Sequence, residues 1–591
     1  MSQDSFMGGR RTLGSPVVQE VESVGDSYND QQAVLTAKKT WVRELCSKHK
    51  VNFLALQETK MEKVDEFLVR RLWGNSKFQF SYSDSVGASG GILCVWDSGM
   101  FIKKQVSISD YFVFLEGTWV PTQTDLLIIT VYAPNDALEK RMLWDYLSEK
   151  IGNWSGDVIM LGDFNEVRVE ADRFGSIFNV QGANMFNDFI AMAGLHDVAL
   201  GGYMYTWAHP TGSKMSKLDR FLISESMLEH FPHVSALVLD KHLSDHRPIL
   251  LREVAFNYGP TPFRVFHSWL VKDSFGALVA DSWLHDGVVG GNPIELLKNK
   301  FKILKTRIRN WVQENRQTGK IEMKEVLSVL DRRVDEGDVG VVEERNVLFK
   351  SLVDLEKNEA IGLAQKAKIK WTIEGDENSK YFHAMVNKSR SRLAIRGVLV
   401  DGDWVDNPMD IKREFLCHFV DRFAQPPMFR IPLNMPLPLV LSIDQSSTLE
   451  AQVTLDENKR AVWDCGADKS PGPDGFTFEF IRKYWEVIGD LESEGVVEAV
   501  HEFFRSGVFP RGCNSSFIAL IPKVPDAKFV KDFRPISLIR CQYKIVAKLL
   551  ANRLKMVIGD LVSDPQSAFV AGRQILDGLL ILNEVVSWCK A

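Results

Sequence analysis

Five short motifs in the first 250 residues set polar groups at the ends of apolar stretches: Leu56-Gln57-Glu58-Thr59, Val131-Tyr132-Ala133-Pro134, Leu161-Gly162-Asp163-Phe164-Asn165, Lys217-Leu218-Asp219-Arg220 and Leu243-Ser244-Asp245-His246-Arg247-Pro248. Their residue types suit phosphodiester hydrolysis. That reaction needs a divalent ion against developing charge, a group to orient the attacking water, and donors for the phosphate oxygens. Glu58 and Asp245 are hard oxygen ligands suited to Mg²⁺, which takes one or two carboxylates and keeps several waters. Asp163 suits orienting or deprotonating water, Asn165, Tyr132 and His246 suit binding phosphate, and Asp219 suits fixing the tautomer of His246. Singly, each motif is weak, because a strand-end Glu is usually a solvated rim residue and Gly-Asp before an aromatic is usually a turn; the joint order carries the specificity.

Such groups need strands to hold them. Residues 33–50 place Val34, Trp41, Val42 and Leu45 at helical spacing, and 52–56 is a short apolar run, so a helix followed by a buried strand is expected. Further strands are expected at 91–95, 111–115, 126–132, 158–161 and 218–223, with a helix over 138–154. Strands at this density point to packed sheets flanked by helices, an α/β class. Residues 296–312 and 341–370 read as long amphipathic helices. Pro426, Pro427, Pro432, Pro436 and Pro438 then make a stiff linker. The expected organisation is an irregular start over 1–33, a first domain over 34–254, a helical connector over 255–425, a Pro-rich linker over 426–441 and a last domain over 442–591.

At 591 residues the chain exceeds one hydrophobic core, and 45% hydrophobic with 25% charged residues gives a folded protein rather than a disordered one. The longest strongly apolar run, 126–133, is too short to span a membrane, and the polar start has no signal-peptide apolar region; no membrane partner is expected. Seven widely spaced cysteines suggest neither a zinc cluster nor a disulfide framework, so an intracellular, reducing setting fits. A net charge of −6 gives no global attraction to nucleic acid, which leaves local basic surface or metal to hold such a partner. Residues 361–400, with eight Lys or Arg against three acids, are one such stretch.

Taken together, Gln-Glu-Thr, Tyr-Ala-Pro, Gly-Asp-Phe-Asn, Leu-Asp-Arg and Ser-Asp-His-Arg-Pro resemble the endonuclease/exonuclease/phosphatase superfamily, specifically the apurinic-endonuclease-like domain of plant LINE-type retrotransposons. The resemblance covers about residues 40–253. It implies a four-layer α/β sandwich and Mg²⁺-dependent nicking of a DNA target that leaves a 3′-hydroxyl for priming, in the nucleus for an active protein. It makes Glu58 a metal ligand, puts Tyr132, Asp163 and Asn165 around the scissile phosphate, and completes the site with Asp219, Asp245 and His246. Thr206 and Trp207 match a family segment near the DNA. The family opens with an apolar strand ending in Trp-Asn, whose Asn helps hold the metal site. Here Asn29 falls near that Asn relative to Glu58, which implies a metal-site role, although Asn29-Asp30 equally matches a later loop Asn-Asp, and the first strand is expected to be missing or badly formed.

Residues 468–573 carry Asp468-Lys469-Ser470-Pro471-Gly472-Pro473-Asp474-Gly475-Phe476, Ile518-Ala519-Leu520-Ile521-Pro522-Lys523, Asp532-Phe533-Arg534-Pro535-Ile536-Ser537-Leu538, Ala551-Asn552-Arg553-Leu554 and Gln566-Ser567-Ala568-Phe569-Val570-Ala571-Gly572-Arg573. This series resembles the fingers and early palm of non-LTR reverse transcriptases, and it puts Lys523 and Arg534 where that family binds template or incoming triphosphate. No Tyr-x-Asp-Asp occurs in the 591 residues, so an incomplete RNA-directed DNA polymerase with no polymerisation is expected. Between the two, Gln365-Lys366-Ala367-Lys368-Ile369-Lys370-Trp371 resembles the connector of plant LINE polyproteins; Lys366, Lys368 and Lys370 suit phosphate contacts with DNA or the element's RNA, and equally a solvated helix face. The leading expectation is a retroelement-derived endonuclease. A catalytically dead nucleic-acid-binding remnant and a small-molecule phosphodiesterase on the same fold are the alternatives.

Overall fold

The computed structural model describes residues 17–19, 28–74, 77–86, 89–285, 291–314, 320–367, 393–424, 439–489, 495–524, 526–562, 566, 570 and 572–590. The chain divides into two compact units: Met1–Gly259 with Lys380–Ala424 and Pro522–Arg534, and Pro260–Ser379 with Gln425–Ile521 and Pro535–Ala591.

In chain order the first unit holds β1 (Val17–Gln19), α1 (Tyr28–His49), β2 (Phe53–Gln57), α2 (Glu66–Trp73), β3 (Gln79–Val86), β4 (Ser89–Trp96), β5 (Phe101–Ser109), β6 (Phe112–Trp119), β7 (Thr124–Tyr132), α3 (Ala137–Gly152) and β8 (Asp157–Asp163). There follow β9 (Arg173–Phe174), α4 (Val180–Met192), β10 (Leu195–Asp197), β11 (Leu200–Gly202), β12 (Trp207–Ala208), β13 (Met215–Ser216), β14 (Asp219–Ser224), α5 (Glu225–His230), β15 (Val234–Val238) and β16 (Ile249–Glu253). One sheet runs β11-β15-β16-β1-β2-β4-β3 and a second runs β10-β14-β8-β7-β6-β5.

The apolar alternation along the strands sorts these elements into four layers. On β2, Phe53 and Ala55 point into a core shared with Phe101, Val113, Ile128, Leu161 and Phe221 of the second sheet. Leu54 and Leu56 point the other way, under Trp41, Val42 and Leu45 of α1 and Val69 and Leu72 of α2. On β7, Leu126 and Ile128 join the inter-sheet core, while Leu127, Ile129 and Val131 pack beneath Leu143, Trp144 and Leu147 of α3 and Phe186 and Phe189 of α4. Strands covered on both faces read as unbroken apolar runs, which is why these two stand out in the sequence. The result is the expected α/β/β/α sandwich.

Two expectations change. The first 33 residues are not wholly irregular: β1 lies at the centre of its sheet, parallel to β2 with Val17 opposite Ala55 and Gln19 opposite Gln57, and antiparallel to β16 with Val17 opposite Ile249. A three-residue strand gives no periodic signal, and its neighbours rather than its own sequence define it. The connector is also not wholly a helical spacer. Its part 393–424 folds with the first unit as a hairpin of β17 (Val398–Val400) and β18 (Asp403–Val405) and a helix Pro408–Arg422. The Trp404 ring lies against Gly201 so closely that a Cβ there would sit 2.6 Å from Cζ2, and Arg252 pairs with Asp406 at 2.6 Å.

The second unit is largely helical. Its core takes in Phe275, Leu297, Phe301, Val462, Phe480, Val497 and Ile545, drawn from helices Asp273–His285, Pro293–Glu314, Leu455–Asp464, Phe478–Lys483, Val496–Ser506 and Cys541–Leu561. The Pro-Gly-Pro-Asp-Gly segment is buried against it. Asp474 accepts from the Gly475 and Cys541 amides at 2.8 and 2.6 Å, and a Cβ on Gly472 would strike the Ile539 carbonyl. The Pro-rich linker lies mostly outside the described residues.

Deleting residues 1–20 removes three registered pairs with β2 and one with β16. At ~1 kcal/mol net per backbone hydrogen bond, the loss is on the order of a few kcal/mol. Urea denaturation followed by far-UV circular dichroism is expected to show the first unit unfolding at clearly lower denaturant; an unchanged midpoint would contradict the central placement of β1.

Candidate active site

The site is built where strand ends from both sheets meet. β2, β7 and β8 reach one rim, with Tyr132 opposite Asp163 in the parallel β7–β8 pair and Asp163 opposite Asp219 in the antiparallel β8–β14 pair. Glu58 follows β2 directly, and Asp245 and His246 lie in the segment before β16. Trp207 forms an isolated bridge with His246, which draws that segment to the same rim.

Gln57 ties the two sheets together at this point. It is fully buried; its Nε2 donates to the Val131 carbonyl, and its Oε1 accepts from the Asp163 amide at 3.1 Å. Gly162 makes room for it. With φ +134, a Cβ there would lie 2.0 Å from the Val131 carbonyl oxygen and 2.3 Å from Gln57 Nε2. Glu58 then departs with φ 51, and Asn165 has φ 48, both in the left-handed region that non-glycine residues seldom occupy.

Local hydrogen bonds hold these two conformations. The Tyr132 hydroxyl donates to Glu58 Oε1 at 2.6 Å. The Asn165 amide donates to Asp163 Oδ1 at 2.8 Å, and Asn165 Nδ2 donates to the Ala133 carbonyl at 2.7 Å. Beneath them, buried Lys140 on α3 donates to the Asn165 carbonyl at 2.7 Å and pairs with Glu166 at 3.1 Å. Asp136, just past the Tyr-Ala-Pro motif, caps α3 by accepting from the Leu138 and Glu139 amides, so the helix that carries Lys140 starts in register with the strand.

His246 and Asp219 form the other half. His246 Nδ1 lies 2.8 Å from Asp219 Oδ2, and both side chains are almost fully buried. Thr206 supports the pair from below: its hydroxyl accepts from the Leu218 and Asp219 amides, both at 3.0 Å, and its carbonyl accepts from the Arg247 amide at 2.6 Å. Trp207 Nε1 donates to Asp245 Oδ2 at 3.0 Å.

The electrostatics show that these groups share one space. Burial works against the imidazolium of His246, but the charge and hydrogen bond of Asp219, with Asp163 and Asp245, outweigh it and raise its pKa from 6.5 to about 9. The Tyr132 phenol is pushed up by burial, by its bond to Glu58 and by the charges of Glu58, Asp163 and Asp245. Glu58, Tyr132, Asp163, Asn165, Asp219, Asp245 and His246 are therefore brought together.

Other expected site residues fall elsewhere. Thr206 is fully buried and serves as a hydrogen-bonding post, so it is no surface for DNA. Asn29 lies on α1 rather than at a strand end; the strand beside β2 ends at Gln19. Lys523 is exposed with its Nζ on the Lys531 carbonyl at 2.5 Å, and Arg534 is exposed on the strand Phe533–Ile539; neither takes part in the described contacts of the carboxylate cluster. Lys368 and Lys370 lie outside the described residues, as does the side chain of Lys366. Gln57 and Lys140 were given no role by the sequence. For Gln57 the usable signal was a polar residue ending an otherwise apolar strand.

A metal is tested by the donors themselves. Glu58 and Asp245 each commit one described oxygen, to Tyr132 and Trp207, and Asp219 Oδ1 is buried with no hydrogen-bond partner among the described residues. Among the described residues no group of three or more His, Cys, Asp and Glu forms a ready metal cage. Two hard carboxylates fit Mg²⁺, which fills its remaining positions with water and phosphate oxygens.

The raised pKa of His246 has a definite sign. The group binds its proton more tightly folded than unfolded, so its contribution to stability is full below pH 6.5 and is lost as pH rises through about 9. In the metal-free chain, an NMR titration is expected to place the His246 imidazole near 9, and Asp219→Asn to bring it down to 6.5 or below. A value of 6.5 in both proteins would contradict the pairing.

Residues 33–246 match the model of the Endonuclease/Exonuclease/phosphatase family, a span that takes in all seven clustered residues. The chain is 25% identical over 485 residues to the Transposon TX1 uncharacterized 149 kDa protein of Xenopus laevis, a match covering 78% of this chain and 36% of that one. It thus spans about a third of the length of this relative. Among solved structures, the AP endonuclease LMAP from Leishmania major is 14% identical, covering 42% of this chain and 92% of that one with a TM-score of 0.34. An AP endonuclease from Archaeoglobus fulgidus is 15% identical, covering 40% and 98% with a TM-score of 0.31. Residues 33–246 are accordingly similar to the Endonuclease/Exonuclease/phosphatase family, within a chain similar to a transposon protein.

Proposed function

We propose that the first unit is a Mg²⁺-dependent endonuclease that nicks DNA for a retroelement. The observation that carries this reading is the gathering of Glu58, Tyr132, Asp163, Asn165, Asp219, Asp245 and His246 in one cleft although 188 residues separate the first from the last. Similarity to a transposon protein over 485 residues supports DNA as the target, with the element's RNA as a second partner of the polymerase-like and connector segments.

Glu58 and Asp245 would hold the ion, which when bound neutralises charge on the phosphate. Asp163, its Oδ1 fixed by the Asn165 amide, orients the attacking water and takes its proton. His246 presents Nε2 to a nonbridging phosphate oxygen because Nδ1 is committed to Asp219. Asn165 has a second amide hydrogen for the same phosphate. Tyr132 is assigned a different task from the one its residue type suggested: with its hydroxyl on Glu58, it orients the carboxylate rather than the phosphate. Water attacks phosphorus, the P–O3′ bond breaks, and the 3′ oxygen takes up a proton to leave a 3′-hydroxyl opposite a 5′-phosphate.

The test is conversion of supercoiled plasmid to open circle with Mg²⁺ present. Wild-type chain is expected to nick. Asp163→Asn should lower the rate by ~10²-fold or more, the scale of positioned acid–base catalysis, and Gln57→Leu should lower it less while reducing stability. Equal nicking by wild type and Asp163→Asn would refute the assignment. Turnover of small phosphoesters without plasmid nicking would favour the small-molecule reading, and binding without any turnover the dead remnant.

A further inference from the structure

The loop joining strands Ser516–Pro522 and Phe533–Ile539 belongs to the polymerase-like stretch of the sequence, yet Pro522–Arg534 folds with the nuclease-like unit. Asp526 on this loop has φ 55, and its Oδ2 lies 2.7 Å from Nζ of Lys217, a buried side chain. Two residues on, buried Lys528 donates from Nζ to the Tyr203 carbonyl, and its own carbonyl accepts from the Leu399 amide at 2.8 Å. Asp526 also acts electrostatically on Lys528 and Arg396. It thus lies among the basic groups Lys217, Lys528 and Arg396. Burial and Lys217 push the Lys528 ammonium down to about 7, while Asp526 and Asp172 work against that fall.

Both anchors bear on the two chain segments that present Asp219 and His246. Lys217 immediately precedes Leu218 and Asp219, whose amides rest on Thr206. Its own amide donates to the Asp172 carbonyl at 2.8 Å, and its carbonyl accepts from Arg220 Nη2 at 3.2 Å, so its backbone is held on both sides. Tyr203 lies three residues before Thr206, and its ring faces the Arg247 guanidinium at 3.6 Å, one residue from His246. The loop therefore fastens the segments on either side of the Asp219–His246 pair, and does so through the carboxylate that pairs directly with Lys217.

We propose that Asp526 is a positioning residue for the nuclease site, acting through Lys217 on the Asp219–His246 pair, so that the nicking site is complete only with a segment drawn from the polymerase-like sequence. This rests on the endonuclease reading above. A buried cation that loses its directly paired carboxylate is strongly disfavoured, and small displacements of a reacting group are costly in rate, up to ~10²-fold for 1 Å.

The test uses the full chain and two readouts. Asp526→Asn is expected to lower kcat for plasmid nicking about tenfold with KM unchanged, and to speed amide hydrogen exchange at 203–206 and 216–220 but not in α3. The reversed pair Lys217→Asp with Asp526→Lys should regain at least half of the lost rate, whereas Lys531→Ala on the same loop should match wild type. Wild-type kcat and exchange in Asp526→Asn would overturn the proposal, as would a loss confined to thermal stability with kcat per folded molecule intact. If wild type itself does not nick, the endonuclease reading fails, and the exchange pattern alone still decides whether the loop holds the 203–220 region.

Discussion

One buried amide sets the geometry of the cleft. Gln57 spends its donor on the Val131 carbonyl and its acceptor on the Asp163 amide, so the ends of β2, β7 and β8, which belong to two different sheets, are fixed relative to one another. Leaving a buried polar group unpaired costs about 1–3 kcal/mol, and replacing the amide by an apolar side chain would remove both of these bonds at once. The residues on either side of this lock are the chemical ones: Glu58 follows Gln57, and Asp163 is the residue whose amide it holds. Gly162 has no side chain because the amide lies where its Cβ would be.

Strain and charge concentrate around this lock. Left-handed Glu58 and Asn165 cost on the order of 1–3 kcal/mol each, and they persist because Tyr132, Ala133, Asp163 and Lys140 bond their polar atoms in those conformations. Three carboxylates, Asp163, Asp219 and Asp245, favour protonation of the one imidazole, and Glu58 joins Asp163 and Asp245 around Tyr132. A second buried network, in which Arg220 bridges Asp172 and Asp197 at 2.6 Å each, stiffens the strand just beyond Asp219. Rigid support of this kind keeps polar groups aimed without reorganisation.

Much of this was legible in the residues. Strands buried on both faces, such as β2 and β7, announce themselves as apolar runs, and the polar residue that ends each run falls on the rim where the cleft forms. Three kinds of feature were not legible. β1 is too short to show a period and is defined by its partners β2 and β16. Gln57 and Lys140 act through backbone groups distant in sequence, which no spacing rule reveals. Thr206 sits beside an aromatic in a segment that suggests a surface, yet its hydroxyl is consumed by two amides from β14 and the residue before it. The segments 393–424 and 522–534 fold with the first unit through contacts such as those of Trp404, Asp406 and Asp526, whose partners lie more than 150 residues away.

The central claim is that strand ends separated by most of the first unit converge to hold one divalent ion. Mn²⁺ titration of the full chain, read by loss of the free-ion electron paramagnetic resonance signal, measures this directly. One saturable site per chain is expected, weakened at least tenfold by either Glu58→Gln or Asp245→Asn and by no more than the same factor again in the double variant, because both carboxylates serve one ion. Absence of saturable binding, or independent losses of separate ions in the two single variants, would contradict the convergence of Glu58 and Asp245 on a common site.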